Sequence, residues 1–178
     1  MSDLPRLLSS EVVYRGRLFN VERDTLAMDG GVTAARETIR HPGAVCMIPV
    51  LDDGRILLVT QYRHPAGRRL LELPAGTLEK GEAPVAAVTR ELQEEVGYRP
   101  GTIEALGGFF VAPGYTSEYI HLFACTALEP GRLPGDDDED IEVEILSLPS
   151  ALEAVESGAI CDAKSVIGLL RWSRKIHR

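Results

Sequence analysis

Three glutamates, Glu91, Glu94 and Glu95, stand three and four residues apart in R-E-L-Q-E-E-V-G, between Pro84 and Gly97. Pro84 suits the first turn of a helix, where its missing N–H costs nothing, and Gly97 suits the left-handed position just past the end. Between them Val85, Val88, Leu92 and Val96 recur at helical spacing and predict a core-facing stripe. At about 100° per residue, the three carboxylates crowd a neighbouring flank, roughly 100° round from that stripe. Like charges at this spacing repel. Arg90 reaches Glu94 one turn on, but one guanidinium does not neutralise three carboxylates. A hard divalent cation does, because Mg²⁺ or Mn²⁺ takes oxygen ligands and usually arrives with phosphates. The competing expectation is a plain solvated helix face.

The longer stretch Gly76–Tyr98 separates the two. Gly76, Glu82, Arg90, Glu91, Leu92, Glu94, Glu95 and Gly97 stand at the spacing Gly, five residues, Glu, seven residues, Arg-Glu, a hydrophobe, one residue, Glu-Glu, one residue, Gly. Seven specified residues, each at roughly 6–7% usage, coincide by chance in about one chain per million of this length. The pattern resembles the box of the Nudix hydrolases, with Tyr98 in place of the usual aliphatic residue at its end. The segment F-V-A-P-G-Y-T-S-E, with Pro113 sixteen residues after Gly97, resembles the ADP-ribose pyrophosphatase branch of that family. So do Y-R-G-R-L-F-N near the start, Q-Y-R-H-P, and D-A-K-S-V-I-G-L-L near the end. The likeness runs from about Glu11 to Trp172, and sugar-nucleotide hydrolases such as those of GDP-mannose share the flanking segments.

The resemblance implies roles. Glu91 and Glu95 match metal ligands, with Glu94 close by and the backbone carbonyl of Ala75 completing the set. Divalent ions held there clamp phosphates and lower the pKa of a bound water. Glu82 and Arg90 read as organisers of loop and helix, since an arginine among acids orients them; Gly76, Gly97 and Pro113 read as structural. Arg63, just after a strand and nine residues before Glu72, is the cation placed to meet a phosphate. Arg36, Glu37, Leu18, Phe19 and Gly114 resemble positions that hold the distal part of the substrate, sometimes from a partner subunit. The helix acids are committed to metal, so the base that takes a proton from water is expected in the acidic run Asp136–Asp140. Glu139 is favoured over Asp137 for its longer side chain, with Glu118 next in line. The four histidines show no ligand spacing.

The substrate implied is a nucleoside diphosphate sugar, ADP-ribose first, giving AMP and ribose 5-phosphate. The alternatives are another sugar nucleotide (GDP-mannose or ADP-glucose) and a Nudix module that senses a nucleotide without hydrolysing it. The intact acid set speaks against a sensor.

A chain of 178 residues with 44% hydrophobic and 26% charged content fits one ordinary globular domain. A net charge of −8 argues against a polynucleotide partner, because phosphate-backbone binding wants a basic face. No apolar run approaches about 18 residues and Met1–Ser10 shows no signal-peptide pattern, so a cytoplasmic protein with no membrane partner is expected. Cys46, Cys125 and Cys161 are scattered and read as reduced thiols.

Glu11–Arg17, Leu18–Met28 and Val32–Ile39 read as strands of an N-terminal antiparallel layer, residues 1–40, with Asp29-Gly30-Gly31 as a tight turn. Residues 41–178 are expected to form the hydrolase domain. Its strands are Gly43–Leu51, Arg55–Tyr62, Leu70–Leu73, Ile103–Val111, Glu118–Thr126 and Ile141–Leu146. Leu128–Asp140 reads as loop, and Pro149–Glu156 and Ala163–Ser173 as helices. Strands that do not alternate regularly with helices indicate α+β. The resemblance implies an α/β/α sandwich around a mixed sheet. Apolar strand faces in the N-terminal layer need cover, and the resemblance implies a homodimer.

Overall fold

Two interleaved sets of apolar side chains explain how the helices are held. In the strand Ala44–Pro49, Val45 and Met47 point into one buried cluster, while Ala44, Cys46 and Ile48 point into another. The strand Ile56–Arg63 alternates in the same way, with Leu57 and Val59 in the first cluster and Ile56 and Leu58 in the second. Strands apolar on both faces are covered on both sides. One cover is the carboxylate helix, through Ala87, Val88, Leu92 and Val96. The other is a pair of C-terminal helices, through Leu148, Ala151 and Leu169.

The computed structural model describes residues 4–135 and 140–177. In chain order the elements are β1 (Arg6–Arg15), β2 (Asn20–Ala27), β3 (Thr33–Arg40), β4 (Ala44–Pro49), β5 (Ile56–Arg63), β6 (Arg68–Glu72), β7 (Ala75–Thr77), α1 (Pro84–Glu91), β8 (Tyr98–Phe110), β9 (Tyr119–Pro130), β10 (Ile141–Leu146), α2 (Leu148–Glu156) and α3 (Ala163–Ile176). The chain divides into two compact units. The first, Met1–Gly43 with Phe110–Tyr119, holds the antiparallel sheet β1-β2-β3. The second, Ala44–Phe109 with Ile120–Arg178, holds a mixed sheet ordered β7-β4-β9-β8, in which β4 runs parallel to β9 and antiparallel to β7. A three-stranded antiparallel sheet, β10-β5-β6, completes it. The class is α+β. Among the described residues no helix is long and apolar enough to cross a membrane.

The expected turn at Asp29-Gly30-Gly31 forms. Gly30 and Gly31 take φ of 77° and 78°, and Gly54, closing the turn into β5, takes 83°. Several bounds differ. β1 starts five residues ahead of the expected Glu11, because R-L-L-S-S pairs with the far end of β2. β9 runs on to Pro130, three residues into the expected loop. Ala75–Thr77, expected as loop, pairs with β4 from Ala44 to Cys46. Val85, expected in the core stripe, is 53% exposed in the first turn of α1, and Leu170 of α3 is 46% exposed.

Candidate active site

α1 passes without a break into one π turn, Leu92–Val96, and Gly97 ends it at φ 77° with its N–H given to the Leu92 carbonyl. Burying Val88, Leu92 and Val96 stabilises the helix by about 1.5–3 kcal/mol each. Repulsion between like charges one turn apart costs only about 0.2–0.5 kcal/mol per pair. The helix therefore forms despite its acids. Each turn of π helix holds an extra residue, and such turns are frequent at functional sites. Here Glu95 falls inside the widened turn and is only 5% exposed.

Arg90 is the hub of the loop and helix. Its Nε and Nη2 donate to the two oxygens of Glu82 at 3.0 Å each. Nη1 donates to Glu94 at 3.0 Å and lies 2.7 Å from Glu91 Oε1, and Nη2 also reaches the Thr77 carbonyl at 3.3 Å. Glu82 in turn accepts from the Glu79 backbone N–H. The bidentate pair holds the Glu82 carboxyl below the ordinary carboxylate range and raises Arg90 above its own. One cation thus binds the loop acid to two helix acids, which leaves the cluster with an excess of negative charge.

Gly76 sits directly under Glu91. A Cβ there would lie 1.8 Å from the Glu91 carboxyl carbon, so only glycine lets the carboxylate rest against the β7 backbone. Next to it the Ala75 N–H donates to Glu95 Oε2 at 3.1 Å. Glu91, Glu94, Glu95 and the Ala75 carbonyl are all oxygen donors, the set that hard divalent ions prefer. Among the described residues no three acids, histidines or cysteines close around one point. Mg²⁺ is one such hard divalent ion, usually bound through one or two carboxylates with water and substrate phosphates in the rest of its shell. The donor set fits such an ion.

Arg63 ends β5 and is held by Glu72, the last residue of β6. Nε donates to the two Glu72 oxygens at 3.1 and 3.2 Å, and Nη2 to Oε2 at 2.7 Å. The Arg63 side chain is 38% exposed and the Glu72 side chain only 2%. Lys164 Nζ, at the start of α3, donates to Glu72 Oε2 at 2.5 Å and to Asp162 Oδ1 at 2.8 Å. Burial pushes the Glu72 carboxyl up, but Arg63 and Lys164 outweigh it and hold the group below its usual range. Lys164 is raised in the same way, burial being outweighed by Asp162 and Glu72. This cluster is absent from the sequence-based reading. Its signal was Glu72 itself, an acid inside the apolar run L-L-E-L-P, and the charged start of D-A-K-S.

The remaining expected site residues lie in the first unit or outside the described residues. Leu18 and Phe19 belong to the turn between β1 and β2, where Gly16 N–H donates to the Phe19 carbonyl; Leu18 is 52% exposed. Arg36 is exposed on β3, donating to its neighbour's carbonyl, and Glu37 pairs with Arg23 at 3.3 Å. Pro113 and Gly114 lie in a turn closed by Tyr115 and Thr116 N–H groups on the Ala112 carbonyl. Glu118 follows it, half-buried, its N–H given to Thr116 Oγ1. Glu139, Asp137 and Asp138 lie outside the described residues.

Comparison with known proteins gives the family and the fold. The NUDIX domain model matches residues 40–165. An "ADP-ribose pyrophosphatase" of Bacillus subtilis is 35% identical over 167 residues, covering 92% of this chain and 90% of the relative. A "Methanol dehydrogenase activator" of Bacillus methanolicus is 36% identical with the same coverage. A solved structure of an "ADP compounds hydrolase" superposes with a TM-score of 0.88 at 27% identity, over 99% of this chain and 96% of the other.

Proposed function

The chain belongs to the Nudix family, and we propose that it is a pyrophosphatase that hydrolyses ADP-ribose to AMP and ribose 5-phosphate. The observation that carries the reading is the acid cluster Glu82, Glu91, Glu94 and Glu95 around the single cation Arg90. Glu91 and Glu95, with Glu94 and the Ala75 carbonyl, would hold Mg²⁺ or a related ion. When bound, such an ion neutralises diphosphate charge and lowers the pKa of a water. Arg90 and Glu82 fix the acids in place. Arg63 meets a phosphate of the substrate, and Glu139 takes the proton as water adds to phosphorus and the bridging P–O bond breaks. Arg36, Glu37, Leu18, Phe19 and Gly114 are assigned to the distal part of the substrate. Residues 1–40 are read as the layer through which two copies pair into a homodimer.

The experiment is incubation with Mg²⁺ and a panel of ADP-ribose, ADP-glucose and GDP-mannose, with products separated by chromatography. The expected result is fastest release of AMP from ADP-ribose. Faster cleavage of either other sugar nucleotide corrects the substrate, and no cleavage of any removes the hydrolase reading in favour of a sensing module.

A further inference from the structure

The segment D-A-K-S at the start of α3 has no part in the chemistry above, yet it carries a buried charge. The Lys164 side chain is 12% exposed, and its ammonium lies between two carboxylates, Glu72 at 2.5 Å and Asp162 at 2.8 Å. Asp162 caps α3 through the Ser165 N–H, and its other oxygen, Oδ2, is buried without a hydrogen-bond partner among the described residues. Ser165 Oγ accepts from the Leu73 N–H at 2.7 Å. The first turn of α3 is therefore fastened at two adjacent points to the segment that leaves β6 for Ala75.

A lysine placed only to stabilise the fold would be an expensive choice, since a buried ion pair rarely outdoes apolar packing of the same volume. What the pair does is fix a third group. Glu72 is almost fully enclosed, and a carboxylate so placed needs more than one positive partner. Arg63 supplies one and Lys164 the other. The two acids and two bases, Arg63, Glu72, Lys164 and Asp162, sum to zero. Cys46, fully buried nearby, has its thiol pushed up to about 12 and stays neutral. Removing Lys164 leaves Glu72 and Asp162 with Arg63 as the cation of this group, drawn between the two acids, with Glu95 acting on it as well.

We propose that Lys164 is a positioning residue: braced by Asp162, it holds the Glu72 carboxylate in place, and Glu72 holds the Arg63 guanidinium where a substrate phosphate meets it. The inference rests on the reading of Arg63 as a phosphate contact.

The test uses the full chain in two measurements. The first follows solvent exchange of the Arg63 Nε–H in ¹H–¹⁵N spectra, the signal being assigned by its loss in Arg63→Met. The second is kcat/KM for ADP-ribose with Mg²⁺ in wild type, Lys164→Met, Arg63→Met and the double variant. Lys164→Met is expected to speed that exchange and to lower kcat/KM about tenfold, within the roughly 10²-fold that a misplacement of about 1 Å can cost. In the Arg63→Met background the same change is expected to cost less than about twofold, because two groups acting through one contact are not additive. Should Lys164→Met fail to fold by circular dichroism, Lys164→Gln, which keeps a donor without the charge, takes its place. Unchanged Arg63 exchange in the folded variant overturns the proposal. So does a tenfold loss that persists in the Arg63→Met background, since Lys164 then acts on something else. Accelerated exchange with Arg63→Met as active as wild type upholds the positioning and removes the phosphate reading of Arg63.

Discussion

Glu91 and Glu95 differ from ordinary surface acids in what surrounds them. Glu91 rests against Gly76, where a Cβ would displace its carboxylate, and Glu95 is buried with a backbone N–H on one oxygen. Neither belongs to the apolar core. Glu91→Gln and Glu95→Gln are therefore expected to lower turnover by about two orders of magnitude or more while the melting temperature stays within a few degrees. Near-normal turnover at saturating Mg²⁺ in either variant shows that the acids do not hold the ion. The assignment of Glu139 as the proton acceptor is checked separately. Glu139→Gln is expected to cut turnover at least about tenfold with little change in KM, and Asp138→Asn to do little. Equal harmlessness of the two moves the base to Glu118.

At the scale of elements, the start and stop of the carboxylate helix were legible because they depend on single residues, Pro84 and Gly97, whose backbone preferences are local. The π turn was not. It depends on how Leu92 and Val96 seat in the core, a tertiary effect that helical spacing alone does not register. The strand Ala75–Thr77 was missed for a related reason, since three residues carry no periodicity and the partner strand decides. The docking of α3 was half legible, with D-A-K-S recognisable as a helix start but its hold on Glu72 a tertiary contact across 92 residues. That hold predicts a pH dependence. Glu72 is held below its ordinary value of 4.5, so its ionised form binds the folded state more strongly. The stabilisation is complete above about pH 4.5 and is lost as pH falls through the lower folded value. The melting-temperature gap between wild type and Glu72→Gln should then be widest above about pH 4.5 and narrow below it. A gap constant from about pH 6 to about pH 3 shows that Glu72 does not titrate with folding.

For the molecule as a whole, the α+β class was legible in the order of elements and the sandwich in the family resemblance, while the expected pairing of two copies is a prediction that rests on what the first unit leaves uncovered. β1 is an edge strand of ten residues with none buried, and Leu7, Leu8, Val13 and Tyr14 along it are 53%, 46%, 42% and 56% exposed. A three-stranded sheet needs an apolar face packed against something, and an exposed apolar edge invites pairing with another chain. A net charge of −8 opposes unspecific clumping, so one defined contact between copies is the outcome that meets both conditions. Light scattering at micromolar concentration is expected to return twice the 19.4 kDa of the chain. Replacing Leu7 and Val13 together by lysine should shift that mass toward the single chain, because two charges then occupy the surface that pairing would bury. A wild-type mass equal to one chain, or a dimer indifferent to the double substitution, rules out pairing through β1.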